Sequence, residues 1–112
     1  MPIQHKSLQK RWAGFPFHEQ MTNVGSEVGR TISGRKKGNL EDSKMAFVRA
    51  LELLSFTKNA WRGTPRAKEL SQVYEQLVDY FAGENKFKTS DEFWHRYFDK
   101  FAQITARRRY GV

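Results

Sequence analysis

From Phe17 onward, apolar side chains return every third or fourth position almost to the end of the chain, the spacing that puts them on one side of an α-helix. Met21, Val24, Val28 and Ile32 form the first stripe, which stops near Lys37 and Gly38. A second stripe runs through Leu40, Phe47, Ala50, Leu51 and Leu54. It follows Asn39, a capping residue type, with Asp42 three positions on. The third is bracketed best. Thr64 is in the capping position, Pro65 stands where a helix tolerates a missing N–H, and Gly83 waits at the far end. Between them Leu70, Val73, Tyr74, Leu77, Val78 and Phe81 share one arc. Ser90 opens a fourth helix, whose single face carries Phe93, Trp94, Tyr97, Phe98, Phe101, Ile104 and Thr105.

Short connections between successive helices favour antiparallel neighbours. The pattern therefore predicts an all-α fold, an antiparallel up-and-down four-helix bundle with helices about 25 Å long at 1.5 Å per residue. Residues 1–15 show no sustained period, and Gly14 and Pro16 interrupt the chain there. They read as an irregular N-terminal arm pinned by Trp12 and Phe15, ahead of a single bundle domain over residues 16–112.

Three local features refine this picture. Gly25, Gly29 and Ser33 strip side-chain bulk from one line of the first helix, which suits either close packing or local looseness. Met45, Val48 and Phe56 lie outside the main arc of the second helix, so it is expected to be covered on two sides, centrally or at a contact between subunits. Trp61 and Arg62 sit in a turn. The expected fate of that tryptophan is to fold over the bundle end.

Composition supports a single packed domain. The 112 residues include nine Phe, three Trp and four Tyr, enough bulk to offset a hydrophobic fraction of 38%. With no cysteine, disulfides and thiolate chemistry are excluded and a cytoplasmic location is favoured. No signal-like stretch follows Lys6, Lys10 and Arg11, and no segment approaches the ~20 apolar residues of a membrane span.

The net charge of +8 points toward phosphate-bearing partners, because Lys and Arg gain affinity by releasing counterions from a nucleic-acid backbone. Arg35, Lys36 and Lys37 close the first helix and Arg107, Arg108 and Arg109 the fourth, where the helix dipole welcomes cations in any case. The expected topology also brings Lys58, Arg62, Arg66 and Lys68 to the end occupied by Arg107, Arg108 and Arg109. These seven residues are the anion-binding site expected from sequence, for nucleic acid or an acidic protein.

Catalytic chemistry finds little support. Glu92 and His95 supply half of the carboxylate–histidine pattern of di-iron bundles, but a second pair and further inward carboxylates are missing, so they read as a surface pair. His5 and His18 have no partner that the pattern fixes. No nucleophile elbow or phosphate loop occurs, and no cofactor or metal is expected. Arg49 and Glu52 on the second helix read as a helical ion pair.

The runs Arg49-Ala50-Leu51-Glu52-Leu53-Leu54, Leu77-Val78-Asp79-Tyr80-Phe81-Ala82-Gly83-Glu84-Asn85 and Tyr97-Phe98-Asp99-Lys100-Phe101 resemble those of a family of small uncharacterised helical proteins of archaea and bacteria. The resemblance covers about residues 21–102 and implies a helical fold and prokaryotic origin, with no assigned activity. Helical ribonucleases of the HEPN type place a His four to six residues after an Arg, and no His here does so. The sequence thus favours a non-enzymatic binding or regulatory bundle with a basic end. The alternative is a self-assembling interaction module that uses the second helix.

Overall fold

The computed structural model describes the backbone of residues 2–110 and the side chains of residues 7–109. Five helices make up the fold: α1 Pro2–Ala13, α2 Phe17–Lys36, α3 Leu40–Ala60, α4 Pro65–Ala82 and α5 Asp91–Tyr110, with no strand among the described residues. The stripes anticipated after Phe17 correspond to α2 through α5. Ser90 caps α5 as expected, its Oγ accepting from the Phe93 N–H at 3.0 Å. Thr64 caps differently: its hydroxyl donates back to the Trp61 carbonyl at 2.6 Å, which tightens the turn before α4.

The expected irregular arm is instead a helix, so the fold has five helices where four were anticipated. Gly14 and Pro16 end α1 without interrupting it, while Gln4, Lys6, Leu8, Gln9, Lys10, Arg11 and Ala13 are favourable helix formers. An apolar stripe was missing because a single described side chain, Trp12, carries the burial. Its indole Nε1 donates to Thr57 Oγ1 of α3 at 2.8 Å, and its ring meets Phe15 edge-on at 5.8 Å.

α2 packs against both α3 and α5, and α3 against α1 and α4. Toward α3 and the turn that follows it, α2 contributes Gln20 opposite Trp61, Glu27 opposite Arg49 and Thr31 opposite Ser43. Toward α5, it sets His18 against Thr105, Gly25 against Phe98 and Arg35 against Asp91. The core joins Met21, Val24, Val28 and Ile32 of α2 to Leu54 and Phe56 of α3, Leu70 and Leu77 of α4, and Trp94, Phe98 and Phe101 of α5.

Several side chains depart from their expected places. Of the three residues outside the main arc of α3, Phe56 is buried as expected, on a helix that packs against α1, α2 and α4. Met45 and Val48 stay exposed, as does Leu40, the first residue of α3. On α5, Phe93 and Ile104 are 44% and 39% exposed. The seven-residue arc there is wider than the strip α2 covers, so Trp94, Phe98, Phe101 and Thr105 are buried while its flanks face outward.

The row of small residues on α2 has two different characters. A Cβ added at Gly25 would stand 2.7 Å from Phe98 Cβ, so the missing side chain is what admits α5. A Cβ at Gly29 would meet nothing within 4 Å. Gly25→Ala is therefore expected to lose about 1–3 kcal/mol through overpacking, despite the gain in helix propensity. Gly29→Ala should gain up to about 1 kcal/mol. Urea denaturation of both variants checks this, and equal effects at the two positions would contradict the close approach.

Candidate functional site

Where the start of α2, the α3–α4 turn and the last turns of α5 meet, the chain builds an open groove of about 910 Å³. Trp61 sets its geometry. The indole Nε1 donates to Gln20 Oε1 at 2.9 Å, and its ring lies edge-on to Phe17 at 5.6 Å. Phe17 in turn lies edge-on to Phe101 of α5 at 5.6 Å. The tryptophan thus folds over the bundle end as expected, held by a buried amide.

Two cations are seated on these rings. The Arg66 guanidinium carbon lies 4.3 Å from the Phe17 ring centre and 4.5 Å from that of Trp61. Lys100 Nζ lies 4.5 Å from the Tyr97 ring centre and 5.2 Å from that of Phe101. Such contacts attract a cation to the ring face without neutralising it. Arg108 also lines the groove. Among the described residues none of Arg66, Lys100 and Arg108 forms an ion pair with a carboxylate.

The one carboxylate on the wall, Glu69, accepts a hydrogen bond from Tyr97 Oη at 2.8 Å. Burial first, then this hydrogen bond and the carboxylate charge, hold the Tyr97 phenol well above its ordinary value of 10.0. At the other side of the groove, His18 Nδ1 is 2.9 Å from Thr105 Oγ1. The Thr105 hydroxyl is shared with Thr22 Oγ1 at 2.8 Å, so His18 has a partner that spacing alone did not reveal.

Of the seven basic residues expected to form an anion site, Arg66 and Arg108 line this groove. Arg109 is engaged by Glu19 at 3.0 Å. Lys58, Arg62, Lys68 and Arg107 are exposed outside its lining, Arg62 leaning toward Asn59 Oδ1 at 3.5 Å. Lys100 was missed. The signal for it was its place four residues before Ile104 and eight before Arg108, on the α5 flank that the apolar arc obscured.

The opposite basic cluster is closed by acid and rings. Arg35 lies 3.4 Å from Asp91 and 4.9 Å from the ring centres of Tyr80 and Phe81, and Lys36 is 4.0 Å from Asp91. Burial, then the hydrogen bond to Asp91, raises the Tyr80 phenol above its ordinary value.

Two charge pairings also differ from expectation. Arg49 reaches across to buried Glu27 of α2 at 2.8 Å, and Arg30 joins the same carboxylate. Glu92 pairs with Arg96 at 2.7 Å, and no group of three or more His, Cys, Asp or Glu side chains converges among the described residues. No described helix is long and apolar enough to cross a membrane. Comparison with known proteins adds nothing to this geometry: no family model, no curated protein and no solved structure matches the chain.

The raised Tyr97 phenol predicts an alkaline effect of definite sign. The unfolded chain releases this proton near pH 10, whereas the folded chain keeps it, so the contribution is complete below that pH and lost as pH rises beyond it. Tyr97→Phe should make the loss of stability above about pH 10 shallower by up to about 1.4 kcal/mol per pH unit, the value for one proton. Urea titrations from neutral to strongly alkaline pH test this. Parallel curves for the two proteins would refute it, since Tyr80 remains in both.

Proposed function

We propose that the chain is a non-enzymatic binding module that takes a polyanion, nucleic acid or an acidic protein, into the groove between α2, α4 and α5. In this reading α2 to α5 form an antiparallel up-and-down bundle, with α1 laid against α3. The observation that carries it is the set of Arg66, Lys100 and Arg108 around one concavity with no ion-paired carboxylate among the described residues. The excess of cations across the chain adds long-range attraction. Cytoplasmic location and prokaryotic origin belong to the same proposal, and neither a cofactor nor a metal enters it.

A salt series measured with labelled DNA and RNA tests the reading. Three phosphate contacts correspond to a log–log slope of about −2 to −3. Arg66→Glu with Arg108→Glu should abolish most binding, whereas Lys36→Glu at the closed end should change it little. Absence of binding at low salt, or binding without a salt slope, removes the proposal.

A second reading rests on Met45 and Val48, which stand exposed on α3. These residues suit a self-assembling interaction module better than Phe56, which lies inside the core. Sedimentation across a wide concentration range decides it. Dimerisation that Val48→Glu abolishes supports self-assembly, and a monomer at every concentration eliminates it.

A further inference from the structure

We infer that the polyanion is a single-stranded nucleic acid, lying along the outer flank of α5 with its bases on exposed rings and its phosphates on the groove cations. This rests on the reading of the groove given above and narrows it to one class of ligand. Phe93, Tyr97, Lys100, Ile104 and Arg108 follow at three- and four-residue steps, so they form one continuous stripe. A second cleft of about 410 Å³, which includes Phe93 and Tyr97, meets the larger groove at Lys100, a residue common to both. From Phe93 to Arg108 the stripe is about 22 Å long at 1.5 Å per residue. That is room for about four nucleotides, the short end of known single-strand sites.

The order of side chains distinguishes this surface from one that offers charge alone. Phe93 is 44% exposed at one end of the trough and Phe15 43% at the other, with Lys100 between. A flat base can stack on such rings in any sequence, since every base has a π-face. A duplex keeps its base faces inside its own stack, and polyglutamate carries carboxylates for the cations but no flat rings to stack. Both acids on the path are occupied, Glu69 by Tyr97 at 2.8 Å and Glu92 by Arg96 at 2.7 Å. The cations that line the two clefts, Arg66, Arg96, Lys100 and Arg108, outnumber them.

The test uses the full chain and labelled strands of about twelve nucleotides: oligothymidine, an abasic strand with the same number of phosphates, and a duplex, with polyglutamate as competitor. Oligothymidine is expected to bind at least about tenfold more tightly than the abasic strand or the duplex. Phe93→Ala should remove most of that advantage and leave duplex affinity unchanged. The abasic comparison needs no variant, so it decides the matter even if Phe93→Ala fails to fold. Equal affinity for all three strands, or equal displacement by polyglutamate, overturns the inference while leaving the polyanion groove intact. Failure to bind any of the probes overturns the groove itself.

Discussion

The carboxamide of Gln20 ties the groove end of the molecule to its core. The side chain is fully buried, with Nε2 donating to the Trp12 carbonyl at 2.7 Å and Oε1 accepting from the Trp61 indole at 2.9 Å. A carbonyl only accepts and an indole N–H only donates, so the amide has one workable orientation. A buried polar group left unpaired costs about 1–3 kcal/mol, which disfavours any other placement of Trp61. From that fixed ring the groove is built outward. Phe17 meets Trp61 edge-on, Phe101 meets Phe17, and Arg66 settles over the first two. The same amide holds the end of α1, whose last residue, Ala13, also lines the groove.

Charge acquires a direction through pairing rather than through count. The two basic helix ends are alike as strings of charge, Arg35-Lys36-Lys37 and Arg107-Arg108-Arg109. In space Asp91 answers Arg35 and Lys36, while among the last three only Arg109 finds a carboxylate, Glu19. Glu27 extends the contrast. Buried between α2 and α3, it is held by Arg30 and Arg49, two cations whose side chains are 65% and 50% exposed. A buried carboxylate needs such partners, so these two arginines are committed to Glu27, Arg49 from across the α2–α3 contact and Arg30 from within α2.

What was legible in the chain was local. Caps and stops such as Ser90, Pro65 and Gly83 act within one turn, so the limits of α2 to α5 could be read directly. α1 could not, because Trp12 buries itself by a contact 45 residues away and leaves no stripe behind. The charge pairs divide in the same manner. Arg96 with Glu92 is a four-residue step and readable in principle, whereas Arg49 with Glu27 crosses between helices. Arg108 was picked out within a basic run, and Arg66 because the expected topology brings the start of α4 to the same end. Lys100 was not, because it stands alone between Asp99 and Phe101 and matters only through the face it shares.

The rings under Arg66 and Lys100 also bear on which cations contribute affinity. A free lysine or arginine has about 2 kcal/mol of rotamer entropy to lose when a ligand immobilises it. Lys58, Arg62 and Lys68 are exposed, so they face much of that loss. Arg66 lies over Phe17 and Trp61, and Lys100 over Tyr97 and Phe101, so each has surrendered part of its freedom on folding. The stacking leaves their charge intact. A dispersed basic surface attracts anions at long range, but cations restrained in this way hold them with a smaller entropic loss. In the proposed reading, the ring-backed pair, and not the larger number of lysines and arginines around it, sets where an anion rests.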